Sequence, residues 1–168
     1  MRESSIPDMI APMRQFHRQR IRLPLERYAD HGSIWHVTMA SRDRRAVLTA
    51  PALAADLIAC LRTACAHATA PLLLYCLMPN HLHALIQIEE TDLITILRNY
   101  KSFSTKRWWT HGGSGALWQR SAYDRGVRIP ERMDDLLNYL FENPLEIGEI
   151  ERWLEQGWLG GTLLDEDG

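Results

Sequence analysis

Long apolar runs are missing from this sequence. No stretch of its 168 residues approaches the roughly 20 uncharged apolar residues that a membrane span needs, so an integral membrane protein is not expected. The opening stretch, MRESSIPDMIAPMRQ, lacks the apolar centre of a secretory signal, which makes the cytoplasm the expected compartment. Cysteine is scarce: Cys60, Cys65 and Cys76 are too few and too irregularly spaced for a disulfide framework or a zinc knuckle, and read as buried thiols. Net positive charge is absent too, with 19 Lys and Arg against 21 Asp and Glu. Bulk charge therefore gives no hint of a nucleic-acid partner. Internal repeats and low-complexity segments are also lacking.

What is present suits one soluble domain spanning 1–168, since 46% of residues are apolar and 24% charged. Charge is distributed unevenly. Residues 14–27 carry Arg14, Arg18, Arg20, Arg22 and Arg27 against the single acid Glu26, and residues 1–27 read as a basic N-terminal arm. Residues 98–107 carry Arg98, Lys101, Lys106 and Arg107 with no acid, whereas the chain beyond Arg152 carries acids and no cation. Local rather than total charge decides what a surface attracts, so a basic face and a set of solvated charged helices are both open.

The order of elements follows from periodicity. Residues 33–41, SIWHVTMAS, alternate and are rich in β-branched and aromatic side chains, which predicts a strand. The Ala- and Leu-rich stretch behind it predicts a helix, with Thr49 as cap and Pro51 in the first turn. LLLYCLM and HLHALIQI then read as two strands of an antiparallel hairpin about the turn Pro79-Asn80. Residues 91–110 predict a second helix, with Leu93, Leu97, Tyr100 and Ser104 in one line, ended by HGGSG. ALWQRSAYDRGVRI reads as a fourth, bent strand in which Trp118 packs. A third helix runs from Pro130 to Pro144, and a shorter one lies around EIERWLEQGW at the start of a C-terminal extension, residues 151–168. The succession β-α-β-β-α-β is that of the α+β, ferredoxin-like sandwich with an antiparallel sheet, here with helices appended at the C-terminus.

His81 and His83 stand one residue apart in a strand that otherwise reads as buried. Side chains alternate along a strand, so both imidazoles share a face and Leu82 points the other way. Two adjacent imidazoles suit a divalent cation, which needs convergent ligands; two half-exposed strand histidines with ordinary hydrogen bonds satisfy the same pattern. In MDDLLNYLFENP the apolar stripe is Met133, Leu136, Leu137, Leu140 and Phe141, with Tyr139 on its polar flank and Asn143 one turn further on the same side. By spacing alone these two are either a phenol and a carboxamide offered together, or a rim aromatic and a helix C-cap.

Taken together, MPNHLHALI, LWQRSAYDRGVR and YLFENPLEIG resemble the matching segments of the REP-associated tyrosine transposases, single-tyrosine members of the HUH nuclease superfamily. HUH denotes histidine, a hydrophobic residue, histidine: His81-Leu82-His83 here. Similarity extends to WHVTMASRDRR and RNYKSFSTKRW and covers roughly residues 20–150. The resemblance implies a metal-dependent transposase of the bacterial cytoplasm that cuts single-stranded or hairpin DNA and stores the bond energy as a covalent 5′-phosphotyrosine. It implies Tyr139 as nucleophile, and His81, His83 and Asn143 as ligands of Mg²⁺ or Mn²⁺. Imidazole donors favour Mn²⁺ in affinity, and availability in cells favours Mg²⁺. Single strands bind through cationic grooves and aromatic stacking. The residues expected to meet DNA are Arg42, Arg44, Arg45, Arg98, Lys101, Lys106, Arg107, Gln119, Arg120 and Arg125, with Trp108 and Trp109 beside them. Asp124 and His36 are polar groups near the expected metal with no assigned role. A second reading of the same residues is a non-catalytic nucleic-acid-binding regulator on this scaffold.

Overall fold

The strand β1 (Ile34–Ala40) buries Trp35, Val37 and Met39 and leaves His36 and Thr38 half-covered on the opposite face, the alternation of a sheet with one face under helices. The computed structural model describes residues 24–127, 138 and 150–165. Behind β1 follow α1 (Pro51–His67), β2 (Leu72–Met78), β3 (His81–Gln87), α2 (Leu93–Thr110), β4 (Tyr123–Val127), a short α3 (Ile150–Glu155) and the two-residue β5 (Leu159–Gly160). The sheet order is β4-β1-β3-β2-β5, with every neighbouring pair antiparallel. The first four strands form the ferredoxin-like arrangement that the sequence predicts, and β2 and β3 turn about Pro79-Asn80 as expected.

Both long helices lie on one face of the sheet. Arg62 of α1 donates to the Tyr75 hydroxyl at 3.2 Å, which fixes α1 over the face that carries Tyr75, Leu77, Leu82 and Ala84. α2 packs beside α1 and touches the 3-10 turn Leu25–Ala29, whose Tyr28 stacks on Trp35 with ring centroids 4.9 Å apart. That turn begins within the stretch assigned to the basic arm. Fully buried Leu57, Leu61, Leu77, Leu82, Ile86 and Ile96 help fill the space between these layers, each removed from water at a gain of about 1.5–3 kcal/mol. The three cysteines are free and buried as expected. Burial pushes the Cys65 and Cys76 thiols up to about 12, which leaves them inert.

Three local details differ from the sequence reading. The N-cap of α1 is Ala50, with no side-chain cap, rather than Thr49; Pro51 supplies the helical φ and has no N–H to satisfy, so a hydroxyl there has less to do. α2 begins at Leu93 rather than Thr91, and its cap is Asp92, which accepts from the Thr95 amide at 2.9 Å. The C-terminal extension is built into the body. Trp153 and Trp158 are buried, the Trp153 indole donates to the Leu77 carbonyl at 2.8 Å, and β5 pairs with Tyr75 and Cys76 along the edge of β2. The close approach there needs glycine, because a Cβ on Gly160 would stand 2.6 Å from the Tyr75 hydroxyl.

The fourth strand is bent, as its sequence suggests. Trp118 bridges to Ser41 and Tyr123 pairs with Thr38, so Met39 and Ala40 oppose the longer run Gln119, Arg120, Ser121 and Ala122. The surplus residues bulge from the ladder. Trp118 anchors one end through its indole, which donates to the Ser104 hydroxyl of α2 at 2.8 Å. Lys101 of α2 holds the bulge itself, its ammonium donating to the carbonyls of Gln119 and Arg120 at 3.1 and 3.2 Å. Bulges of this kind re-aim side chains at the rim of a sheet.

Candidate metal and nucleic-acid site

β3 is the middle strand, and its face away from α1 and α2 carries His81 and His83. The two rings stand at 90° with centroids 4.7 Å apart. The cross-strand register sets their neighbours: on the β1 side Ala40 faces His81 and Thr38 faces His83, and on the β2 side Met78 and Cys76 take those places. His36, one pleat along β1, stacks on His83 at 5.2 Å between centroids.

Each imidazole is held through the same nitrogen. His81 Nδ1 is 2.7 Å from the side-chain oxygen of Asn80, an acceptor, so the Nδ1 proton belongs in that bond. His83 Nδ1 lies 3.0 Å from the Thr38 hydroxyl and 3.1 Å from His36 Nε2. A neutral imidazole with Nδ1–H offers its lone pair at Nε2, so His81 has the donor chemistry of a divalent-cation ligand, and His83 has it in the same tautomer. Among the described residues, no group of three or more His, Cys, Asp or Glu side chains converges into a metal cage.

The electrostatics keep both rings neutral. Burial lowers the pKa of His81, and the neighbouring Arg44 guanidinium lowers it further. Burial holds His83 well below the ordinary histidine value, with His81 and His36 adding to the effect. Arg44 reaches this position from the turn Arg42–Arg44, in which Asp43 and Arg44 adopt left-handed backbone angles, φ 56° and 52°. Non-glycine residues enter that region at a cost of about 1–3 kcal/mol. The amide of Ser41 donates to Asn80 O and that of Leu48 to Pro79 O, so the loop leans on the turn that carries His81.

The expected DNA-contacting residues fall into separate groups. Arg42 and Arg44 are exposed on the loop beside His81. Arg45 is tied down, donating to the carbonyls of Arg42 and Ala116 and lying 5.4 Å over the Trp108 ring. Gln119 and Arg120 sit in the bulge beside Ala40, one strand from His81, with Arg120 exposed. Arg98, Lys106 and Arg107 are exposed on α2, in the helical layer across the sheet from the imidazoles. Trp108 is half-buried and Trp109 is 53% exposed. Arg125 pairs with His36 through the backbone of β4, as Asp124 does with Val37. Tyr139 and Asn143 lie outside the described residues.

His36 and Thr38 are the contributors that sequence reading left without a role. The sole signal for them was a polar pair on the half-covered face of β1; their registration against His83 is a tertiary fact.

Among solved structures, a REP-associated tyrosine transposase bound to a REP hairpin is similar in fold, with a TM-score of 0.60 and 19% identity over 72% of each chain. A crystal structure from Deinococcus radiodurans R1, described as a transposase, gives a TM-score of 0.50 and 21% identity over 66% of this chain and 88% of that one. No curated protein matches the chain. Among the described residues no helix is long and apolar enough to cross a membrane. Residues 30–130 match the family described as transposase, IS200-like, with the histidine pair, the Arg42–Arg44 loop and the bulge all inside the match. The chain belongs to the IS200-like transposases.

Proposed function

We propose that this transposase is a metal-dependent endonuclease and strand transferase for single-stranded DNA, with Tyr139 as its nucleophile. The observation that carries the reading is the pair of neutral imidazoles on the middle strand, each engaged by the protein through Nδ1. His81 and His83 would hold Mg²⁺ or Mn²⁺ through Nε2, with Asn143 as a further donor. When bound, the cation neutralises phosphate charge that otherwise repels a nucleophile.

Tyr139 has the chemistry the reaction needs. Its phenol, with an ordinary pKa of about 10, loses its proton and attacks the scissile phosphorus. The Tyr139 Oη–P bond forms, the bond from phosphorus to the 3′-oxygen breaks, and the departing 3′-oxygen takes up a proton. A phenol is a better leaving group than an alkanol, so another 3′-hydroxyl reverses the step on a new strand with no external energy source. Arg42 and Arg44 beside His81, with Arg120 in the bulge, are the cations best situated to receive the flanking phosphates. Hairpin DNA is the favoured substrate class, because the REP-associated protein of the same fold was solved bound to a REP hairpin.

The test is a denaturing gel after incubation with single-stranded hairpin oligonucleotides and Mg²⁺ or Mn²⁺. A covalent protein–DNA adduct is expected, abolished by Tyr139→Phe and reduced at least 100-fold by His81→Ala, a loss of about 2.7 kcal/mol in barrier terms. Absence of an adduct with every hairpin, or one that persists in Tyr139→Phe, overturns the reading. Metal-independent DNA binding unaffected by either substitution would instead establish a non-catalytic binding protein.

A further inference from the structure

His83 differs from His81 in how it is held. Asn80, the chain neighbour of His81, engages that ring from within the same strand turn. The ring of His83 is engaged across strands, with Thr38 and His36 of β1 both meeting its Nδ1, at 3.0 and 3.1 Å. These two residues lie 45 and 47 positions away in sequence and share the half-covered face of β1. Stacking of His36 on His83 further restricts the tilt of the His83 ring.

An imidazole ligates a cation through the nitrogen that lacks a proton, and its other N–H needs an acceptor to fix the tautomer. A hydroxyl oxygen always retains acceptor lone pairs, and the Nε2 of a neutral His36 protonated at Nδ1 is a second acceptor. We propose that Thr38 and His36 are positioning residues for His83: together they keep its proton on Nδ1, so that Nε2 is the nitrogen presented to the cation. β1 thereby acts as a tautomer clamp on β3. This rests on the metal-dependent reading above, yet the tautomer is a property of the metal-free protein and can be measured alone.

The substitution Thr38→Val is isosteric on a strand and removes the acceptor, Thr38→Ser restores it, and His36→Phe keeps the stacked ring without the nitrogen. Two measurements apply: ¹⁵N NMR of the imidazole rings in metal-free protein, and calorimetric titration with Mn²⁺. Wild-type His83 is expected as the Nδ1–H tautomer. Thr38→Val is expected to shift it toward Nε2–H and to weaken Mn²⁺ binding about 10–100-fold, with Thr38→Ser close to wild type and His36→Phe between. Unchanged tautomer and unchanged Mn²⁺ affinity in Thr38→Val overturn the proposal. If wild-type protein binds no Mn²⁺, the metal-dependent reading fails, and the NMR result then decides the clamp by itself: Nε2–H in the wild type refutes it, Nδ1–H lost in Thr38→Val upholds it.

Discussion

The ammonium of Lys101 in α2 bonds the carbonyl of Gln119 at 3.1 Å and, by the same group, that of Arg120 at 3.2 Å. A cation from the helical layer is thus used as a strap on the bulge beside the histidine face. Burial lowers its pKa, but two carbonyl acceptors compensate for part of the lost hydration.

The role of Lys101 can be separated from phosphate binding. A lysine that neutralises a phosphate contributes about 0.7 to the slope of log affinity against log salt for single strands. Lys101→Met is expected to destabilise the fold by about 1–3 kcal/mol and to weaken the proposed hairpin binding several-fold by releasing Gln119 and Arg120. The salt slope should stay unchanged, in contrast to Arg44→Met, which should lower it. Fluorescence anisotropy over a salt series reads both slopes.

Tyr100 offers a stability prediction of opposite sign. Its ring is fully buried in the core, 5.5 Å from that of Trp118, and among the described residues its hydroxyl has no hydrogen-bond partner. A buried polar group left unsatisfied costs about 1–3 kcal/mol. Tyr100→Phe keeps the ring and removes that cost, so urea denaturation should give a midpoint raised by an amount equivalent to about 1 kcal/mol. A lower midpoint would mean that the hydroxyl contributes to folding.

The depressed basicity of His83 sets a pH dependence. As pH falls below about 6.5, the unfolded chain takes up a proton at this position before the folded chain does. The unfolded state then binds more protons, so stability drops as pH falls and recovers as pH rises toward 7. The loss continues until the lower, folded-state pKa is reached. Each such histidine contributes at most about 1.4 kcal/mol per pH unit. Urea midpoints between pH 7 and 5 should fall in wild-type protein and fall less steeply in His83→Gln.

How far the site was legible depends on which contacts are local. The shared face of His81 and His83 follows from alternation within one strand, and the hairpin follows from Pro79-Asn80. The bend in the fourth strand announces itself through SAYDRG breaking the apolar pattern after Trp118. By contrast, the partnership of Thr38 with His83 needs the register of two strands separated by a helix and a third strand, which no local pattern encodes. Leu159-Gly160 is too short to alternate, so β5 has no signature either, and the cap of α1 was displaced by one residue because Pro51 already does the work of initiation. Tyr139 and Asn143 lie outside the described residues, and their part rests on the match of sequence segments.

The smallest strand has a consequence for how this molecule behaves in a crowd. The outer margin of β2 offers amide and carbonyl groups that any extended peptide could pair with. Two residues, held flush because Gly160 lacks a side chain and anchored by the indoles of Trp153 and Trp158, occupy that margin at Tyr75 and Cys76. A methyl group at position 160 would press on the Tyr75 ring and disturb this cover. Self-association is the failure expected of such a change.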